Sequence, residues 1–154
     1  MKITHRGFTL IELMVTLAVV AIVTTLALPS FRITIMNNRL TTQANEFITD
    51  VNIARSEAVK QGNTITITSN NGNNWANGWT ITDSGGNTLR VHGALDGTST
   101  LTGGVGSIQY LRTGFISGGA TLTFDVCDDR SGETGRRITI LSTGRPSIAD
   151  LICT

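Results

Sequence analysis

The sequence predicts an α+β fold: one long N-terminal helix, half apolar and half amphipathic, packed on a small antiparallel β domain. Three observations carry this expectation. Of 17 glycines, one is Gly7 and all the others lie at Gly62 or later, so residues 8–61 contain no glycine and a single proline, Pro29. Within that stretch apolar residues run unbroken and then recur at helical spacing. Beyond Gly62 the pattern changes to short alternating runs separated by turn residues. The expected organisation is a short leader (1–7), a helix (8–61) whose first part, 8–28, is transmembrane, and a β domain (62–154).

The helix begins with Phe8–Leu28, 21 residues that are apolar except for threonines and Glu12. At about 1.5 Å per residue this spans roughly 30 Å, one hydrocarbon core. Lys2, His5 and Arg6 precede it, which keeps the N-terminus cytoplasmic and sends the rest across the inner membrane. Two plainer readings compete. A cleaved secretory signal would have a shorter, uncharged apolar run, and Thr25-Leu26-Ala27 is a poor cleavage site. A simple anchor has no use for Glu12, since a carboxylate at a helix centre costs about 2.5–3.5 kcal/mol on insertion scales. A cut between Gly7 and Phe8 would supply a partner: a new α-amino group one helical turn before Glu12.

Pro29 removes one backbone donor, and a kink or local melting is expected there. Beyond it, Phe31, Ile35, Leu40, Ala44, Phe47, Ile48, Val51, Ala54, Ala58 and Val59 form an apolar stripe. Charged residues, among them Arg39, Glu46, Asp50 and Arg55, occupy the positions between. Gly62 is the expected stop.

Strands are expected at 64–68, 78–82, 88–94, 107–112, 120–127 and 136–141, arranged as two small antiparallel sheets on the second half of the helix. Asp83–Asn87 is a turn, and 128–135 is a polar hairpin connection. Residues 95–106 give no reading.

Charge excludes some functions. The formal net charge is +1. Without Lys2 and Arg6, ten basic and eleven acidic residues remain, and from Gly62 onward there are six arginines against seven carboxylates. Bulk attraction to nucleic acid is not expected. Cys127 and Cys153 in an exported domain predict a disulfide closing a loop of about 25 residues, which would contribute roughly 3–4 kcal/mol. Two free thiols in a reducing cytosol are the alternative. Trp75 and Trp79 read as packing residues of a hairpin rather than a ligand pair. Asp125, Asp128, Asp129 and Glu133 lack the calcium-loop pattern and alternate with Arg130, Arg136 and Arg137, so a salt-linked turn is expected. No Cys/His metal spacing, no nucleophile with a base and no phosphate-binding glycine loop is present, so neither an enzyme nor a cofactor or metal site is expected.

Gly7-Phe8-Thr9-Leu10-Ile11-Glu12-Leu13 resembles the class III signal of type IV pilins and type II secretion pseudopilins. Ala54–Gly62, Trp75–Trp79 followed by Asp83, Phe124–Asp128 and Thr143–Pro146 narrow the resemblance to the GspH/FimT (FimU/FimT-like) branch of minor pilins and pseudopilins. The resemblance implies cleavage after Gly7 by a prepilin peptidase, N-methylation of Phe8, and a role in assembly for Glu12, paired with the terminal amine of an adjacent subunit. Pro29 falls where such proteins often carry a proline. It implies a low-copy minor pilin, anchored in the bacterial inner membrane with a periplasmic domain and then incorporated into a pilus. There it would help other pilins initiate assembly, near the tip. An H-type pseudopilin of type II secretion is a close variant.

A reading of another class is DNA binding during natural transformation, which some FimT-like pilins perform through a C-terminal Gly-Arg-x-Arg motif. Here the matching stretch is Gly144-Arg145-Pro146-Ser147, with serine at the second arginine position. Arg136, Arg137 and Arg130 are the candidates to supplement Arg145, opposed by Asp128, Asp129, Glu133 and Asp150.

Overall fold

The computed structural model of the chain describes residues 7–154; the leader residues Lys2, His5 and Arg6 lie outside them. A single helix, α1, runs from Leu10 to Gln61. It continues without interruption through Pro29, so the local melting expected there does not occur. Proline withholds one donor, and the bonds of the flanking turns suffice to carry the helix past it. At its C-terminal end Gly62 takes the left-handed conformation, φ 66°, that closes helices.

The chain divides at Met36/Asn37 into two compact units. In the first, no described side chain is buried: Phe8 is 85% exposed and Leu10 75%. Several of its hydroxyls are answered internally. The hydroxyls of Thr16, Thr24, Thr25 and Thr34 each donate to a carbonyl three or four residues back, at 2.6–3.0 Å.

In the second unit, Leu40, Ala44, Phe47, Val51, Ala54 and Ala58 are buried, alternating steps of four and three along one helix face. The stripe predicted from sequence is longer than the buried one. Phe31, Ile35 and Val59 share the spacing but stay 55–65% exposed.

Two four-stranded antiparallel sheets share the core with that face. The first comprises β1 (Ile65–Ser69), β2 (Trp79–Asp83), β3 (Thr88–His92) and β5 (Ser107–Tyr110), in the order β3-β2-β1-β5. The second comprises β4 (Thr100–Gly103), β6 (Leu122–Cys127), β7 (Thr134–Ile140) and β8 (Pro146–Ile152), in the order β4-β6-β7-β8. Six of these strands overlap the predicted ones. β4 lies in the stretch that gave no reading, and β8 was not anticipated.

Ile65, Ile67, Trp79, Ile81, Ile108 and Tyr110 point inward from the first sheet, and Leu101, Phe124, Val126, Ile138 and Ile140 from the second. Phe47 stands at the centre, its ring 5.0–5.4 Å from those of Trp75, Trp79 and Phe124. Trp75 lies in a short 3-10 turn, Trp75–Asn77, between β1 and β2.

Candidate functional site

The apolar unit begins with a local motif. Thr9 caps α1: its hydroxyl accepts from the Glu12 amide at 3.3 Å, while the Glu12 carboxylate accepts from the Thr9 amide and hydroxyl, both at 2.8 Å. This is a capping box of the form Thr-x-x-Glu, in which two otherwise unanswered donors are satisfied reciprocally. Glu12 therefore has a partner within its own chain, in addition to the amine that a cut after Gly7 would supply. A carboxylate in the first turn also suits the helix dipole. Phe8, Ile11, Val15 and Thr16 frame Glu12 in a shallow, mainly apolar surface groove. Gly7, the residue before the expected cut, is exposed, and among the described residues beyond its chain neighbours no atom lies within 4 Å of where a side chain would begin. Pro29 lies within the exposed apolar part of α1.

Cys127 and Cys153 form a disulfide, with Cα atoms 5.9 Å apart. It joins the end of β6 to the residue after β8 and so brackets β7 between them. Gly135 of β7 lies beneath both sulfurs, where any side chain would collide with Cys153 Sγ and the Val126 carbonyl. The bridge is thus built into the sheet rather than attached to a loose tail.

The four candidate arginines separate into two groups. Arg137 makes a two-pronged pair with Asp125, at 2.7 and 2.8 Å, because the two residues face each other in the β6–β7 register. Arg136 pairs with Asp150, its partner in the β7–β8 register, and donates to Thr41 of α1 at 3.1 Å. Arg130 holds Asp128 at 2.7 Å and reaches Asn37 of α1 at 2.8 Å. Burial pushes the Asp128 carboxyl up, but the hydrogen bonds from Arg130 outweigh it, and the net position is below the usual carboxylate range. Asp129 accepts from Thr98 at 2.8 Å. Arg145 is different. It is exposed, and its side chain has no hydrogen bond or ion pair among the described residues.

The tryptophans are core residues, not hairpin packing alone. Trp75 donates to the Val105 carbonyl at 2.8 Å and Trp79 to the buried Asp50 carboxylate at 2.9 Å. Arg90 Nε lies 2.6 Å from the other Asp50 oxygen, an ion pair that ties the outer strand β3 to α1. His92 stacks on Trp79 with centroids 4.0 Å apart and lies 3.5 Å from Glu46, one turn before Asp50. Among the described residues, no three His, Cys, Asp or Glu side chains are gathered as a metal site would need. Sequence reasoning missed the cap, although Thr9-x-x-Glu12 was in plain view, and it missed Asp50 as the anchor of β3.

Residues 43–144 match the family model described as type II transport protein GspH, and residues 4–28 match the prokaryotic N-terminal methylation motif. Among solved structures, the chain is similar to the type IV minor pilin FimU of Pseudomonas aeruginosa: 27% identity, 73% of this chain and 89% of that one, TM-score 0.67. A second crystal form of FimU matches at 26% identity, 71% and 91%, TM-score 0.63. The minor pseudopilin EPSH of the Vibrio cholerae type II secretion system shares the fold, at 12% identity, 77% and 96%, TM-score 0.53. No curated protein sequence matches the chain.

Proposed function

Because the chain belongs to the GspH family of minor pilins and pseudopilins, we propose that it is a low-copy subunit of a type IV pilus that helps initiate assembly, placed near the tip. Membership makes it a structural subunit that acts with other pilins, not an enzyme, and the methylation motif implies processing by prepilin peptidase. The observation that favours a pilus over type II secretion is the 27% identity to FimU, against 12% to the secretion pseudopilin.

In this reading the peptidase cuts between Gly7 and Phe8, and the new Phe8 amine is methylated. The apolar part of α1, long enough to cross a bilayer, holds the subunit in the inner membrane with residues 62–154 in the periplasm. An oxidising compartment suits the Cys127–Cys153 bridge. On assembly Glu12 exchanges its Thr9 partner for the amine of a neighbour, and the exposed faces around Phe8, Ile11 and Val15 pack against other helices. Pro29 would let the helix adjust during that packing. The test is Glu12→Val in the native host. Processing and membrane insertion should persist while the variant's content in sheared pili falls at least about tenfold, about 1.4 kcal/mol. Normal incorporation would sink the assembly role of Glu12.

The GspH description of the family model favours the H-type pseudopilin as a second reading. Loss of the gene with intact pili but impaired protein secretion would select it. DNA binding is the weaker reading. Three of its four candidate arginines are engaged by carboxylates, which leaves Arg145 alone of the four to neutralise a phosphate. Salt-sensitive binding of duplex DNA that Arg145→Gln removes would restore it.

A further inference from the structure

The chain contains a short internal repeat. Ile108-Gln109-Tyr110-Leu111-Arg112-Thr113-Gly114-Phe115 aligns with Ile138-Thr139-Ile140-Leu141-Ser142-Thr143-Gly144-Arg145, with Ile, Leu, Thr and Gly shared. The two copies fold alike, each as the end of a strand and the turn that follows. In each turn the glycine amide donates to the leucine carbonyl, at 2.8 and 2.7 Å, and the leucine amide donates to the carbonyl after the glycine, at 2.9 and 3.1 Å. Gly114 and Gly144 have φ of 77° and 80°, a conformation that L side chains rarely adopt.

The turns come from different sheets yet lie side by side. Ile116 donates to the Ser142 carbonyl at 3.0 Å, and the buried Tyr110 hydroxyl donates to the Gly144 carbonyl at 3.2 Å. Arg55 of α1 locks the pair, donating from Nε to the Gly114 carbonyl at 3.0 Å. A side chain at Gly144 would collide with that same carbonyl and crowd Arg55.

The result is one face, at the end of the second unit where α1 stops. It carries Arg55, Arg112 and Arg145, none of them paired with a carboxylate among the described residues. The sequence holds no Asp or Glu at 58–82, 97–124 or 138–149. Glu57, the nearest acid on the helix, is already held by Lys60 and Gln61. Between the arginines lie exposed apolar side chains: Val59 at 55%, Phe115 at 48% and Leu141 at 47%. Arg90, Arg130, Arg136 and Arg137 of the unit are each paired with a carboxylate, whereas Arg112 and Arg145 are exposed without one among the described residues and the half-buried Arg55 turns its Nε to Gly114.

We propose that this twin-turn face docks the globular domain of a different subunit through an apolar contact rimmed by that subunit's carboxylates. The inference rests on the reading of the chain as an assembly subunit. Arginine and aromatic side chains around an apolar centre are the composition of a protein interface core. A nucleic acid fits less well: Val59 and Leu141 offer no stacking surface, and Arg55 spends a donor on Gly114. A second copy of this chain would bring the same uncompensated arginines against one another.

The test places p-benzoylphenylalanine at position 115 of the full chain, in the native host, and irradiates cells during assembly. The expected adduct joins position 115 to another pilin-type subunit, at a peptide containing Asp or Glu. Arg112→Glu with Arg145→Glu should reduce it at least about tenfold, while lysine at both positions retains most of it. Both arginines are exposed, and an unchanged melting temperature would show that the variants fold. A nuclease-sensitive adduct, an adduct with a second copy, an adduct insensitive to charge reversal, or none at all would each overturn the proposal. The chain's own presence in sheared fibres separates the two readings. Incorporation without the adduct removes this face alone, and absence from fibres removes the subunit reading as well.

Discussion

Two stretches of one helix contrast the parts of this molecule. Residues 10–35 and 40–58 of α1 are both rich in apolar side chains, yet no described side chain of the first is buried, while the second buries a six-residue stripe under two sheets. The second stretch finds its core within its own chain. The first is mostly apolar, and four of its threonine hydroxyls are satisfied by its own carbonyls. Hydrophobicity alone therefore does not tell where stability resides. The buried core lies in residues 37–154, while no described side chain of the apolar unit is buried.

Substitutions can break or sharpen that contrast. Phe47→Ala removes the ring at the centre of the aromatic cluster and should cost about 3–5 kcal/mol, read by denaturant unfolding of the detergent-solubilised chain. Survival with less than about 1 kcal/mol lost would mean that the core does not depend on the helix. Cys127→Ser should cost about 2–4 kcal/mol and open 144–154 to protease; an unchanged digest would show that strand pairing alone holds β8.

Acid should act on the second unit through Asp128. Its folded-state pKa is depressed, so its contribution is complete above the unfolded value of about 4 and is lost as pH falls through the lower folded value. The melting temperature should drop on acidification below about pH 4, and Asp128→Asn should flatten that slope. The smallest effect is expected from Leu17→Ala, in the exposed apolar stretch. It should change unfolding of the second unit by less than about 0.5 kcal/mol, and a loss comparable to that of Phe47→Ala would erase the distinction between the units.

What could be read from sequence follows the same division. The helix, its end near Gly62 and the strands with alternating Ile and Thr were legible because local periodicity encodes them. β4, four residues ending in glycine, and β8, an exposed outer strand beginning with Pro146, carry no such period. The arginine pairings were out of reach for another reason. Arg137 meets Asp125, and Arg136 meets Asp150, only through strand registers that distant residues set. The extent of the stripe was misjudged because spacing shows that Phe31 and Ile35 share a face but not what covers it. The cap at Thr9 and the repeated Leu-x-Thr-Gly turns were encoded locally; finding them needed comparison of the sequence with itself and with helix-start patterns.

The capping box has a kinetic meaning. A carboxylate that entered the bilayer bare would seize the first cation it met and hold it. Glu12 instead begins with two donors from Thr9, so in the assembly proposed above, docking beside another subunit would swap one set of hydrogen bonds for another, and a subunit that withdrew would be able to close its own cap again.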